Sequence, residues 1–479
     1  MIGPKEFRES AHQLVDWIAD YLENVEKYPV KSQVKPGEIL EDLPMAPPER
    51  GEEFDSIMAD FEEKILPGIT HWQSPHFHAY FPGNSSYPSL LGEMLTSAIA
   101  AQCMIWETSP AAAELEERVL MWLKEAMNLP KEFKGVIQDT ASTATLCALL
   151  TARERVSDYQ INNSGFSSNR YRVYCSSETH SSIEKGVKIA GFGRDNLVKI
   201  PVRDDLSIDP TLLSEAIEND LAKGFIPTCV VAAIGTTGTC AVDPLDEIAR
   251  VCSKHGIWLH VDAAYAGTAL LLEEYQDMVS GMETADSFVF NPHKWMFTNF
   301  DCTAYYVKDE EALIRTFEVL PEYLKTKTRG EVNDYRDWGI PLGRRFRALK
   351  LWFVIRSFGL EGIREKLRYH IQLAEQFESW IDQSNDFELV IERSLNLVCF
   401  RLVTTEVRDE EILERLNAEL LENLNSSGKI YLTHTKVRGA YALRIVIGQT
   451  NVTEDHIRKS WEVIEDTATK LLESKSQIL

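Results

Sequence analysis

The sequence is short of positive charge. Its 479 residues carry 50 Lys and Arg against 74 Asp and Glu, which gives a formal net charge of −24 at pH 7. A surface with this balance repels phosphate backbones and anionic lipid head groups, so it argues against nucleic acid or an acidic membrane as a partner. The acidic residues are spread along the chain rather than collected in a tail.

The sequence also lacks paired cysteines. Its eight cysteines are scattered singly and include no Cys-x-x-Cys pair, which argues against a zinc ribbon and against a disulfide framework. His71, His76 and His78 match neither the His-Glu-x-x-His spacing nor that of a zinc finger, so we predict no metal site. This cysteine usage favours a reducing, cytoplasmic compartment.

Long hydrophobic runs are missing as well. No window reaches the roughly 18 uninterrupted apolar residues of a membrane span. The first residues lack the basic start and apolar run of a signal peptide, so we expect a soluble protein. A chain of 479 residues is too long for one ordinary core, which makes two or three domains the expectation.

Two amphipathic helices are predicted near the N-terminus. Apolar residues recur at helical spacing over residues 4–26 and again over 54–65, with a proline-rich polar stretch between them. Helices of this kind have little core of their own. We therefore predict that residues 1–85 form a helical segment that docks on a partner subunit.

Residues 130–310 alternate short β-branched runs with helical segments. This alternation predicts an α/β domain over residues 86–350, with a largely parallel sheet covered by helices on both faces. Beyond a long helix near 344–358, a smaller α+β domain is predicted over residues 351–479. The predicted strands are 135–138, 171–174, 229–234, 258–262 and 287–291 in the first domain, and 387–391, 397–402 and 442–447 in the second.

Two residues that suit a pyridoxal phosphate site follow two of these strands. Asp262 ends one strand, and Lys294 follows another in the run Asn-Pro-His-Lys-Trp. An amine forms a Schiff base with the cofactor aldehyde, and a carboxylate keeps the pyridine nitrogen protonated so that the ring accepts electrons. Alone, Asp262 could be a helix cap and Lys294 a surface lysine. Ligands collect at the carboxyl ends of parallel strands, however, so their coincidence favours the cofactor site.

Two further segments follow predicted strands. Residues 138–145 pass from a strand into a helix through small hydroxyl residues, which suits either phosphate binding at the helix N-terminus or simple capping by Thr140 or Ser142. His180 could stack on a pyridine ring, although a lone histidine is more often structural. Ser182 and Lys185 match Ser-x-x-Lys, but the companion motifs of serine hydrolases are absent.

With these segments combined, the chain resembles the group II pyridoxal-phosphate decarboxylases, specifically the aromatic L-amino acid decarboxylases. The resemblance runs almost end to end. It implies an aspartate-aminotransferase-like fold (fold type I of pyridoxal enzymes) and an obligate homodimer with shared active sites. Further motifs that carry it are His71-Trp72, Tyr80-Phe81-Pro82, Ser109-Pro110, Glu114-Leu115-Glu116, Phe300-Asp301-Cys302 and residues 340–347.

The resemblance also implies roles for individual residues. Lys294 matches the Schiff-base lysine, Asp262 the partner of the pyridine nitrogen, and His180 the residue that stacks on the ring. Tyr323 matches a mobile-loop tyrosine that serves protonation of the product. The other cofactor contacts are implied to be Ala141, Ser142, Thr237, Ala264, Asn291 and His293. The wall of an aromatic substrate pocket is implied to comprise Trp72, Tyr80, Phe81, Pro82 and Phe300, with His180 also meeting the substrate.

Reaction outcome and substrate are separate questions. Relatives with phenylalanine at the position of Tyr323 tend to release an aldehyde, so Tyr323 with His180 favours plain decarboxylation over aldehyde synthesis. Gly83 and residues 102–104 depart from the animal pattern, which leaves phenylalanine, tyrosine, tryptophan, dihydroxyphenylalanine and 5-hydroxytryptophan open. An acidic amino acid decarboxylase would need basic pocket groups, and none is seen among the pocket candidates. A non-catalytic dimeric binding module is disfavoured because Lys294, Asp262 and His180 are all present.

Overall fold

The alternating region folds into one seven-stranded sheet in the computed structural model, which describes residues 2–319, 331–404 and 409–475. Its strands are β1 Lys134–Gln138, β2 Arg170–Ser176, β3 Leu197–Ile200, β4 Phe225–Ala233, β5 Trp258–Asp262, β6 Ser287–Phe290 and β7 Thr303–Val307. The spatial order is β1-β7-β6-β5-β4-β2-β3. Every strand runs parallel to the others except β7, which lies antiparallel between β1 and β6.

The predicted strands of this sheet are found within a few residues of their expected bounds, whereas β3 and β7 were not predicted. The strand β3 is only four residues long and lies at the sheet edge, so its sequence carries little periodic signal. The strands β4, β5 and β6 consist almost wholly of buried residues, as expected where helices cover both faces of a parallel sheet.

Helices precede, cover and follow this sheet. The residue Gly359, with φ of +66°, interrupts the longest of them and separates two helical stretches. In chain order the helices are α1 Pro4–Glu23, α2 Glu38–Asp42, α3 Phe54–Asp60, α4 Tyr87–Ile99, α5 Pro110–Ala126, α6 Ala141–Val156, α7 Gln160–Ser164, α8 Ser181–Ile189, α9 Pro210–Ala222, α10 Leu245–His255, α11 Pro292–Trp295, α12 Glu310–Phe317, α13 Arg347–Gln383, α14 Glu410–Ser426 and α15 Glu454–Lys475.

A second sheet is formed by the C-terminal region. Its strands are β8 Phe387–Leu389, β9 Leu397–Leu402, β10 Thr433–Val437 and β11 Ala440–Val446. They are all antiparallel, in the spatial order β10-β11-β9-β8, and β10 was not predicted. Rings at Phe377, Phe400 and Trp461 pack edge to face in its core, with centroids 5.5 Å apart for the first pair and 5.3 Å apart for Phe377 and Trp461.

The chain divides into two units by its internal contacts. One comprises Met1–Pro82 with His370–Leu479, and the other is Gly83–Tyr369. This is a different partition from the three sequence segments predicted above. The helix α1 has no buried residue in the single chain, and its Phe7, at 64% exposure, faces solvent. No helix of the described part is long and apolar enough to cross a membrane.

Candidate active site

The predicted cofactor residues converge on one edge of the large sheet. Since β1, β2, β4, β5 and β6 are parallel, their carboxyl ends lie along the same edge. Register aligns Ala233 with Asp262 and Asp262 with Val289, and places Gln138 beside Thr303. Every cofactor residue predicted from the sequence therefore lies at or just after the carboxyl end of one of these strands. They are Ala141 and Ser142 after β1, His180 after β2, Thr237 after β4, Asp262 and Ala264 at β5, and Asn291, His293 and Lys294 after β6.

Asp262 is a buried carboxylate at this edge. Its Oδ1 accepts a hydrogen bond of 3.1 Å from the backbone N–H of Ala264. Burial raises the pKa of Asp262, while the charges of Lys294 and His180 and the hydrogen bond from Ala264 act in the opposite direction. A carboxylate in such a position is stabilised by a cation, and a protonated pyridine nitrogen has the required charge and hydrogen-bond donor.

Lys294 lies in the single helical turn of α11, whose backbone is held from two sides. Its N–H donates to the carbonyl of Asn291 at 2.9 Å, and its own carbonyl accepts from Nδ2 of Asn84 at 2.6 Å. The next residue, Trp295, is fully buried and stacks on Tyr265 with ring centroids 5.2 Å apart. The half-buried amine therefore extends from a fixed platform rather than from a surface loop.

His293 and Asn291 are buried polar residues that come just before Lys294 in the chain. Nδ1 of His293 accepts from the backbone N–H of Cys302 at 3.0 Å, and burial lowers the pKa of this imidazole to about 3. The ring is therefore neutral, with its proton on Nε2, and can donate to a phosphate oxygen. Oγ1 of Thr303 lies 2.7 Å from Oδ1 of Asn291 and 3.1 Å from the carbonyl of Asp139.

Thr303 is a site residue that sequence reasoning missed. It begins the unpredicted strand β7 and links the lysine segment after β6 to the turn after β1. Only the insertion of β7 between β1 and β6 brings these two segments to the same hydroxyl group.

The N-terminus of α6 is the phosphate-binding candidate. Thr140 is the N-cap and accepts from the N–H of Thr143 at 3.4 Å, so the capping alternative holds for Thr140. Ala141 and Ser142 are the first two helical residues, and Ser142 is exposed. Backbone N–H groups at this position have no acceptor within the helix, and the positive end of the helix dipole favours an anion.

The turn that carries Thr237 is held by a buried carboxylate. Oδ2 of Asp243 accepts from the N–H of Ala233 at 2.7 Å and Oδ1 accepts from the N–H of Ile208 at 2.8 Å. Gly235 in the same turn has φ of +88°, and an added Cβ would lie 2.6 Å from that of Ala266. Asp243 was also missed, because an aspartate before a proline is an ordinary turn signal in a sequence.

His180 is the N-cap of α8. Its Nδ1 lies 2.7 Å from Oγ of Ser182 and accepts from the backbone N–H of Ser182 at 3.2 Å. The pKa of His180 is lowered, chiefly by desolvation; the charge of Asp262 acts in the opposite direction, and the charge of Lys294 lowers it further. The side chain itself is exposed in the single chain.

The residues of the predicted aromatic wall divide between the two units. Phe300 lies in the unit Gly83–Tyr369, with its ring 4.8 Å from that of His293 and 65% exposed. Trp72, Tyr80, Phe81 and Pro82 lie in the other unit, where Trp72 and Tyr80 stack at 5.9 Å. Tyr323 lies outside the described residues.

Comparison with known proteins identifies the family of the chain. Residues 36–403 match the family model described as the pyridoxal-dependent decarboxylase conserved domain. Tyrosine decarboxylase 2 of Narcissus pseudonarcissus is 44% identical, with 98% of this chain and 95% of that protein covered. Phenylacetaldehyde synthase of Arabidopsis thaliana is 43% identical, with coverage of 98% and 97%.

A solved structure gives the same result. Oryza sativa TDC with PLP and tryptamine superposes with a TM-score of 0.94 at 38% identity, covering 98% of this chain and 99% of that one. The expected aspartate-aminotransferase-like fold and the expected pyridoxal phosphate cofactor are thereby confirmed. The chain belongs to the pyridoxal-dependent decarboxylase family, in its group II aromatic amino acid branch.

Proposed function

We propose that this protein decarboxylates aromatic L-amino acids to arylalkylamines and CO₂ with pyridoxal phosphate as cofactor. The observation that carries the proposal is that Asp262, which is buried, Lys294 and His180 all follow strands at the carboxyl edge of the same sheet. Relatives that act on tyrosine, together with a similar structure that holds PLP and tryptamine, support an aromatic substrate.

When bound, pyridoxal phosphate supplies an aldehyde that captures amines and a pyridine ring that accepts electrons. Lys294 would hold it covalently through the amine, and Asp262 would keep a proton on the ring nitrogen. The neutral Nε2–H of His293 and the free N–H groups at the start of α6 would hold the phosphate. His180 would cover the face of the ring and bind the substrate carboxylate.

The aromatic preference rests on the resemblance of Trp72, Tyr80, Phe81, Pro82 and Phe300 to a pocket wall. Within its own unit, the Tyr80 turn is fixed by Arg444, whose Nη1 donates to the carbonyl of Tyr80 at 2.9 Å. The guanidinium carbon of Arg444 also lies 5.3 Å from the centroid of the Phe81 ring. These contacts keep a rigid aromatic surface that suits a flat side chain better than a carboxylate.

Aldehyde synthesis is the second candidate, because a phenylacetaldehyde synthase is among the relatives at 43% identity. We favour the amine because Tyr323 and His180 both match the decarboxylase pattern. The variant Tyr323→Phe is expected to divert product towards aldehyde. Finding only amine at the wild-type rate would remove Tyr323 from the mechanism.

The test is product analysis of the cofactor-loaded protein with phenylalanine, tyrosine, tryptophan, dihydroxyphenylalanine, 5-hydroxytryptophan and glutamate. We expect amine and CO₂ from the aromatic substrates and nothing from glutamate. Lys294→Ala should abolish turnover, whereas the control Lys254→Ala, at an exposed ion pair with Glu218, should not. Aldehyde with peroxide would favour the synthase, and near-normal amine production by Lys294→Ala would refute the site.

We further propose that the protein acts as a homodimer with shared active sites. The helix α4 exposes Leu91, Met94 and Leu95 at 55%, 47% and 45%, and α1 exposes its own apolar face. Adjacent exposed apolar residues of this kind favour burial against a second copy. Light scattering should give twice the mass of one chain. The double variant Leu91→Lys/Leu95→Lys should reduce that mass, whereas Leu221→Lys, an exposed leucine on α9, should not.

The cytoplasmic location predicted from the sequence also remains a proposal. It is supported by the cysteines, which are all buried and which form no disulfide in the described part of the chain. Fractionation of cells that express the tagged protein, with a cytosolic marker as control, would test it.

A further inference from the structure

The start of α8 gives His180 two hydrogen bonds at the same ring nitrogen. Oγ of Ser182 lies 2.7 Å from Nδ1, and the backbone N–H of Ser182 lies 3.2 Å from it. His180 is therefore the N-cap of the helix, and its imidazole takes the place of the usual Ser, Thr, Asp or Asn side chain.

This arrangement decides which ring nitrogen carries the proton. A backbone N–H can only donate, so Nδ1 must offer its lone pair and cannot itself be protonated. The hydroxyl of Ser182 rotates freely and can donate to the same lone pair. The proton of the neutral ring then lies on Nε2, at the opposite side of the ring from α8.

We propose that Ser182 is a positioning residue that fixes His180 as the neutral Nε2–H tautomer, so that Nε2 presents a hydrogen-bond donor to the substrate carboxylate. The inference rests on the proposed role of His180 at the substrate and extends it to a residue that acts through the His180 ring. Protonation of Nδ1 would break the bond from the backbone N–H of Ser182, which can only donate, so this contact opposes formation of the imidazolium.

Two charged groups face His180 from other elements: Asp262 at the end of β5 and Lys294 in α11. They act in opposite directions on the pKa of His180, while desolvation lowers it. Glu184, on α8 itself, is engaged with Arg194 at 3.0 Å and Lys199 at 3.3 Å. The bonds from Ser182 are therefore the local contact that selects between the two ring nitrogens.

Steady-state kinetics of the holoenzyme from pH 5 to 9 tests this, with L-tyrosine and L-tryptophan as substrates. Ser182→Ala removes the hydroxyl bond and should lower kcat about 3- to 10-fold, the loss of one ordinary hydrogen bond. Its KM should change little. The acidic limb of kcat should shift by about 0.5 to 1 pH unit, because the hydroxyl that bonds to the titrating ring at Nδ1 is gone.

Three further variants complete the design. Ser182→Thr keeps a hydroxyl group and should retain both the wild-type kcat and the wild-type acidic limb of the pH profile. Ser181→Ala removes the neighbouring exposed serine of the same helix and should behave as wild type. His180→Asn retains a side-chain acceptor for the helix start but removes the imidazole, and should lose most of the activity.

The outcomes separate the inference from the proposed function. If Ser182→Ala behaves as wild type while His180→Asn loses activity, the inference is overturned and the role of His180 stands. A reduced kcat with an unmoved acidic limb would also overturn it, since Ser182 would then be merely structural. Wild-type activity of both variants would remove His180 from the proposed mechanism and the inference with it.

Discussion

The buried ion pair between Arg344 and Glu116 offers a quantitative test of how the site is supported. Nη2 of Arg344 lies 2.6 Å from Oε1 of Glu116 and donates to the carbonyl of Ile137 at 2.7 Å. The same carboxylate oxygen accepts from the N–H of Ile137 at 2.8 Å. The side chains of Arg344 and Glu116 are 7% and 3% exposed. Through their bonds to Ile137, the pair joins α5 to β1, the strand that ends at the phosphate-binding candidate.

Arg344→Met should destabilise the protein by about 3–5 kcal/mol, because it leaves the Glu116 carboxylate buried without its cation. In the double variant Glu116→Gln/Arg344→Met, the new amide can still accept from the N–H of Ile137 and can donate to its carbonyl. That variant has no charged side chain left at these two positions. The free energy of unfolding of the double variant should fall by less, about 1–2 kcal/mol, which is the cost of imperfect neutral hydrogen bonds.

The assay is urea unfolding followed by tryptophan fluorescence at fixed protein and cofactor concentration, with midpoints compared across the double-mutant cycle. The control Arg250→Met breaks an exposed ion pair with Asp246 on α10 and should leave the midpoint unchanged. A double variant no more stable than Arg344→Met, or an Arg344→Met indistinguishable from the control, would refute the reasoning.

Three other predictions concern the site and its support. His260 is buried, and burial lowers its pKa to about 3. The unfolded chain therefore binds a proton at this residue below pH 6.5 that the folded protein does not, so the free energy of unfolding should fall as the pH drops. In urea titrations, His260→Gln should make that fall less steep by about 1.4 kcal/mol per pH unit. Gly267→Ala would place a Cβ 2.5 Å from that of Phe290, next to Asn291, so cofactor absorbance should be lost. Thr303→Val should leave Asn291 with an unmet hydrogen bond and release cofactor about tenfold faster in dialysis.

Each of these has a matched control and an opposing result. His12→Gln, at an exposed histidine, should keep the wild-type pH dependence; an equally steep fall in His260→Gln would contradict the first prediction. Gly51→Ala, with no atom within 4 Å of the added Cβ, should retain cofactor. Full absorbance in Gly267→Ala would contradict the second. Thr303→Ser keeps the hydroxyl group, and cofactor loss from it equal to that from Thr303→Val would contradict the third.

The chemical core of the site could be predicted because its residues follow strands whose pattern is strong. Trp258–Asp262 was placed with the bounds that the structure shows, and Lys294 follows β6 as expected. Thr303 could not be predicted, because its strand β7 lies between β1 and β6 and runs antiparallel to both. The strand β1 is also far from β7 in the sequence. Ser182 was considered only as part of a hydrolase motif, because no sequence pattern shows which atom of a neighbouring ring a hydroxyl meets.

What the sequence by itself determined is the chemistry: a lysine, an aspartate and a histidine that follow parallel strands of one sheet, on a background that argues against nucleic acid and disulfide frameworks. Hydrophobic periodicity places these groups at one edge, because parallel strands share it, and the resemblance to the decarboxylases implies their roles. What only the tertiary structure decided is how these groups are held: the neutral ring of His293, the link through Thr303 and the two bonds at Nδ1 of His180. Hydrogen bonds of this kind depend on distances and directions between separate segments, and burial then sets which protonation state survives.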